Sequence, residues 1–131
     1  MLYNEKGLKH MVFVGICLVT DNVPALVMFY EELLNMKAQG DEIHSEFVLE
    51  GGSFAIYSRQ AAKEDMSLNF DSEASNFTLT FLVEDVELEY ERLKKLGVEI
   101  LNAPRTYSWG ARSMQFKDID GNVISFACRG K

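Results

Sequence analysis

The pattern of apolar and polar positions along this chain occurs twice. "MVFVGICLVT" reads as a strand, Asp21-Asn22 as a cap, and "VPALVMFYEELLNM" carries apolar residues at helical spacing, with Pro24 in the first turn. After "KAQGD" come "HSEFVL", a Gly51-Gly52 turn and "SFAIYS", which predict a β-hairpin. The second half repeats the order. It begins with strand "NFTLTFLVE", cap Asp85, helix "VELEYERLKKLG" closed by Gly97, and short strand "VEIL". "ARSMQFK", a turn at Asp120-Gly121-Asn122 and "VISFAC" complete it.

Superposing the two caps lays "GICLVTD" on "TFLVED" and "GGSFAIY" on "DGNVISF". The order strand-helix-strand-strand-strand, twice, predicts an α+β fold of two tandem βαβββ modules forming a curved mixed sheet within a single domain, 1–131. The first module covers 9–60 and the second 76–131. The intervening 61–75, part of "RQAAKEDMSLNFDSEAS", reads as a polar, irregular linker.

Alternation assigns faces, because successive strand residues point to opposite sides. Phe77, Leu79, Phe81 and Val83 belong to the side a helix would cover, leaving Thr78, Thr80 and Leu82 on the other. The repeat as aligned matches Val14, Ile16 and Leu18 with these, and Phe54 and Ile56 with Val123 and Ser125. The inner face is then half apolar and half hydroxylic, a surface suited to a ligand cleft.

Composition narrows the function classes. With 47% hydrophobic and 25% charged residues the chain is an ordinary globular one, and "MVFVGICLV" is about half a bilayer span and lacks a basic flank. The expectation is a soluble cytoplasmic protein. A net charge of -7 argues against a phosphate-backbone partner and favours a cationic guest. Cys17 and Cys128 sit in apolar runs, without the spacing of a zinc or disulfide framework.

Three stretches, "LVTDNVPALVMFYEELLNM", "FLVEDVELEYERLKKLGVEI" and "WGARSMQFKDIDGNVISF", resemble the vicinal oxygen chelate superfamily, which includes glyoxalase I, extradiol dioxygenases and the fosfomycin- and bleomycin-resistance proteins. The resemblance implies that metal-dependent members place His, Gln or Glu ligands at four inward strand positions. Transferred to this chain, these fall on Val14, Ile56, Thr78 and Ser125. Val, Ile, Thr and Ser offer two weak hydroxyls where a divalent metal needs imidazoles or carboxylates. The expectation is no metal and no cofactor. "DIDGN" looks like the start of a calcium loop, but the rest of that pattern is missing, so it is read as a tight hairpin with Gly121 at positive φ.

"PRTYSWGAR" carries the single Trp, and its Trp-Gly-x-Arg run resembles the bleomycin-resistance branch, which binds its ligand without catalytic metal in a cleft at a homodimer interface. The expected function is metal-independent binding of a small molecule, with sequestration of a cationic aromatic antibiotic or related compound in that cleft. Val14, Ile56, Thr78, Trp109, Met114 and Ser125 are the expected cleft residues, and Arg112 is expected to take a surface or salt-bridging role rather than to contact the ligand. The alternative is a glyoxalase-like lyase or dioxygenase with divalent metal at a non-standard site.

Overall fold

Each long helix starts and stops on a residue suited to that end. The computed structural model describes residues 15–67, 77–107 and 110–129, which divide into two units, one within Met1–Phe70 and one within Asp71–Lys131. Among the described residues no helix is long and apolar enough to cross a membrane.

The first unit runs β1 (Gly15–Thr20), α1 (Val23–Leu34), β2 (Gln39–Gly40), β3 (His44–Leu49), β4 (Gly52–Ser58) and α2 (Arg59–Met66). Its sheet has the order β1-β4-β3-β2, with β1 parallel to β4 and the other pairs antiparallel. Asn22 caps α1, its side-chain oxygen accepting from the Ala25 amide at 3.1 Å. Asn35, left-handed at φ 53°, ends it. The buried row Val23, Leu26, Tyr30 and Leu33 follows helical spacing. Tyr30 packs edge-on against Phe54, ring centroids 5.0 Å apart, and against Phe47 at 6.3 Å.

The stretch expected to be irregular instead begins with α2. Ser58 caps it by accepting from the Ala61 amide at 3.2 Å, Gln60 donates to Glu64 at 2.6 Å, and Arg59 pairs with Asp21 at 2.7 Å. Its mean hydropathy is low because Ala62 supplies the buried contact and polar groups supply the rest. A search for an apolar stripe passes over such a helix.

The second unit runs β5 (Thr78–Leu82), α3 (Val86–Leu96), β6 (Ile100–Thr106), β7 (Ala111–Lys117) and β8 (Val123–Arg129). The sheet order β5-β8-β7-β6, with β5 parallel to β8, repeats the first. Asp85 caps α3 through the Leu88 amide at 3.2 Å, and Gly97 closes it at φ 76°. Glu87 and Glu89 in the first turn and Lys94 and Lys95 in the last oppose the helix dipole. Strand β6 is longer than the expected "VEIL" and contains Pro104. It can do so because it is an edge strand with register shifts around Asn102. The result is α+β, two four-stranded mixed sheets with helices, in the expected order.

The faces of the first sheet differ from the expectation. Ile56 is fully buried and shares a side with Phe54, Leu18 and Phe47, the side on which Tyr30 of α1 packs. Turn length explains the slip. Leu49 pairs with Gly52, leaving Glu50-Gly51 as the turn, whereas Lys117 pairs with Val123 and leaves 118–122. Gly51 at φ 90° matches Gly121 at φ 88°, so the true counterpart of Gly121 is Gly51, not Gly52. A one-residue shift in a strand reverses every side chain. Ala55 is therefore the counterpart of Ser125.

Candidate functional site

In the second sheet, Phe81, Met114, Phe116, Ile124 and Phe126 share one side. Phe126 meets Phe116 at 4.9 Å and Phe81 at 6.0 Å between ring centroids. Arg112, on that same side, reaches the first turn of α3, so this is the helix side. Its Nη2 donates to Glu87 Oε2 at 2.6 Å, Nε to Oε1 at 3.1 Å, and Nη1 to Thr106 Oγ1 at 3.1 Å. This hydrogen bond holds the Glu87 carboxyl below its ordinary pKa and raises the Arg112 guanidinium. Arg112 thus forms the expected salt bridge.

The opposite side mixes a polar group with the apolar Leu82, Val123 and Ala127. Thr78, Thr80, Ser113, Gln115 and Ser125 alternate with the apolar residues of the helix side along β5, β7 and β8, and Thr80 pairs with Ser125, which pairs in turn with Gln115. Gln115 organises the group. Its Nε2 donates to Ser113 Oγ at 3.1 Å and to Ser125 Oγ at 3.0 Å, while its Oε1 accepts from Asn102 Nδ2 at 2.9 Å. Ser113 and Ser125 are 7% and 9% exposed. Thr78 and Thr80 share a hydroxyl contact of 3.3 Å on the exposed edge strand. At the turn end of this side stands Lys117, 3.8 Å from Glu99.

On the side of the first sheet opposite α1, cross-strand pairing sets Cys17 beside Ala55, Glu46 beside Ala55, and His44 beside Tyr57. The His44 and Tyr57 rings meet edge-on at 5.7 Å, and Tyr57 donates to Asp65 Oδ2 at 3.3 Å. Desolvation, then the Asp65 charge, pushes the Tyr57 phenol up; desolvation also raises the Cys17 thiol. Neither shift creates a nucleophile.

Of the residues expected to line a cleft, Thr78 and Ser125 share the polar side of the second sheet. Ile56 and Met114, each 0% exposed, point to the helix sides, which corrects their expected orientation. Val14 and Trp109 lie outside the described residues. Ser113 and Gln115 were not among the expected residues, although the alternation "RSMQFK", with polar and apolar positions interleaved, carries their orientation.

Counting seven residues back from the caps Asn22 and Asp85 gives Gly15 and Thr78, and the last strands give Ala55 and Ser125. Gly15 cannot carry a ligand, since a Cβ there would run into the backbone carbonyl of Ser53. Neither the glycine and alanine of the first unit nor the threonine and Gln115-engaged serine of the second offers donors that fit a divalent metal. Among the described residues no group of three or more His, Cys, Asp or Glu is gathered as a metal site would require.

The acidic turn is likewise structural. Asp118, 5% exposed, accepts from the Asp120 and Asn122 amides through Oδ1, both at 2.9 Å, and from Asn122 Nδ2 through Oδ2 at 2.8 Å. Both carboxylate oxygens are committed within the turn, and the calcium reading fails on that ground.

Two four-stranded βαβββ units, each with one sheet side covered by its long helix and an opposite side that mixes polar and apolar residues, have the architecture of the glyoxalase-like class. Residues 13–128 match the model of the glyoxalase-like domain, and the chain belongs to that family. A Bacillus subtilis (strain 168) relative, uncharacterized protein YraH, is 32% identical over 122 residues, 87% of this chain and 95% of that one. Uncharacterized protein YetH of the same strain is 44% identical over 53 residues, 40% of this chain and 43% of its own length, so that likeness spans less than half of the relative. A glyoxalase/bleomycin resistance protein/dioxygenase from Nocardioides superposes with a TM-score of 0.79 at 21% identity, over 95% of this chain and 87% of its own. A glyoxalase-related enzyme from Fulvimarina pelagi gives 0.78 at 20% identity, over 90% and 88%. At such identities the likeness to the solved structures concerns the fold.

Proposed function

We propose that this protein binds a small organic molecule without a metal ion, in the manner of the resistance proteins of its superfamily rather than of its metal-dependent enzymes. The observation that carries this reading is the replacement of the superfamily's ligand positions by Gly15, Ala55, Thr78 and Ser125, with Ser125 held by Gln115 at 3.0 Å. A Lewis-acid mechanism has no donor set there. A sheet side of hydroxyls and amides can still orient a ligand through a few directed hydrogen bonds. Sequestration of an aromatic compound by a cytoplasmic homodimer fits this chemistry. The charge of -7 favours a cationic guest during approach.

The test is calorimetric titration with flat aromatic cations, ethidium and 9-aminoacridine among them, in the presence of EDTA, followed in parallel by Trp109 fluorescence. Saturable binding unaffected by EDTA is the expected result. Stoichiometric Fe, Mn, Ni or Zn in the purified or reconstituted protein, with ligand binding or turnover lost on chelation, would overturn the reading in favour of a lyase or dioxygenase.

A further inference from the structure

The hydrogen-bond pattern around Gln115 has a polarity. Asn102 donates to Gln115 Oε1, so the amide nitrogen turns toward the serines and spends its two hydrogens on Ser113 Oγ and Ser125 Oγ. Each serine is an acceptor in that contact and keeps its own hydroxyl hydrogen. Among the described residues neither hydroxyl meets a second partner, and both side chains belong to residues more than nine-tenths buried. Buried polar groups in folded proteins are almost always satisfied, so two neighbouring spare donors on one sheet side call for an explanation. The nearest charge along β7 on that side is the cationic Lys117, and the groups between are neutral.

We propose that Ser113 and Ser125, polarised by Gln115, form a donor pair that anchors a hydrogen-bond acceptor of the ligand, an uncharged carbonyl or similar oxygen. This rests on the binding-protein reading and specifies the chemistry of its anchoring group. Any positive charge on the ligand lies elsewhere; the atom seated between the two serines is an acceptor and not an ammonium. Gln115 touches no ligand in this arrangement and acts as a positioning residue: its amide fixes which way the two hydroxyls point.

Two fragments of the same skeleton separate the alternatives, acetophenone with its carbonyl and 1-phenylethylamine with its ammonium. Each is titrated into the 15N-labelled full chain while the backbone amides of Ser113 and Ser125 and the side-chain amide of Gln115 are followed. The expected result is that acetophenone moves these signals and 1-phenylethylamine does not. Ser113→Ala and Ser125→Ala should each weaken acetophenone binding about three- to tenfold. Gln115→Glu, whose carboxylate accepts from the serine hydroxyls and turns their oxygens outward, should lose acetophenone and gain 1-phenylethylamine, an inversion that mere destabilisation cannot produce. A preference for the amine in the unmodified protein, equal response to both, or response to neither would overturn the donor-pair assignment. The binding-protein reading would then stand or fall separately on the aromatic-cation titration and the metal analysis.

Discussion

Gln115 faces Ser125 across the β7–β8 ladder, and its amide nitrogen donates to the serine hydroxyl at 3.0 Å. This contact decides what a carboxylate placed at 125 would do. Ser125→Glu would accept from the same amide and stand beside Thr80, with Gly15 and Ala55 as the counterparts in the other unit. One carboxylate and weak hydroxyls do not make a site for Zn, Ni or Mn. The variant is expected to bind none of these stoichiometrically by calorimetry or elemental analysis.

The orientation of β4 gives a paired test in the first unit. Ile56 is fully buried on the α1 side, while its neighbour Ala55 lies on the other. Ile56→Ala should cost about 2–5 kcal/mol in urea unfolding, because it opens a cavity among packed side chains. Ala55→Ser, on the helix-free side, should stay within about 0.5 kcal/mol. If the two costs were equal, the parity of the strand would be wrong.

The turn 118–122 depends on one side chain. Asp118 satisfies two backbone amides and the Asn122 amide group, and its removal leaves those donors partly buried. Asp118→Ala is expected to destabilise the protein by about 1–3 kcal/mol. Added calcium should leave the thermal midpoint of the unmodified protein unchanged, since the Asp118 carboxylate is already held by three donors of its own turn and, among the described residues, no group of three or more His, Cys, Asp or Glu includes it.

What the sequence could and could not convey follows from which signals are local. Asn22, Asp85, Asn35 and Gly97 mark helix ends through contacts within a turn, and helical spacing of Leu26, Tyr30 and Leu33 needs no knowledge of the partner sheet. Strand parity is different. It passes through the hairpin turn, and the turns at Glu50-Gly51 and 118–122 differ in length, so aligning the wrong glycine inverted the side of Ile56 while leaving the strand itself in place. Met114 departs from its expected place for a related reason: its apolar character suits a cleft wall, whereas alternation with Ser113 and Gln115 puts it on the α3 side. The role of Gln115 was beyond reach, because it depends on cross-strand partners from β6 and β8 that only the register brings together.

The ion pair between β7 and α3 gives the protein a predicted pH response. Arg112 holds the Glu87 carboxyl below its ordinary value of 4.5 through a hydrogen bond and its charge. A group whose pKa is depressed on folding stabilises the folded state above its unfolded pKa, and that contribution disappears as pH falls through the folded value. The pair should therefore contribute fully at pH 7 and fade below 4.5. Both groups are solvent-accessible, so the effect is modest and screened by salt. The check is the urea midpoint of the unmodified protein against Glu87→Gln, from neutral to acid pH. The midpoints should differ at neutral pH in favour of the unmodified protein and converge at acid pH, and Arg112→Lys, which loses the two-pronged contact, should reduce the neutral-pH difference. A gap that stayed constant down to pH 3 would mean that Glu87 acts through packing rather than through its charge.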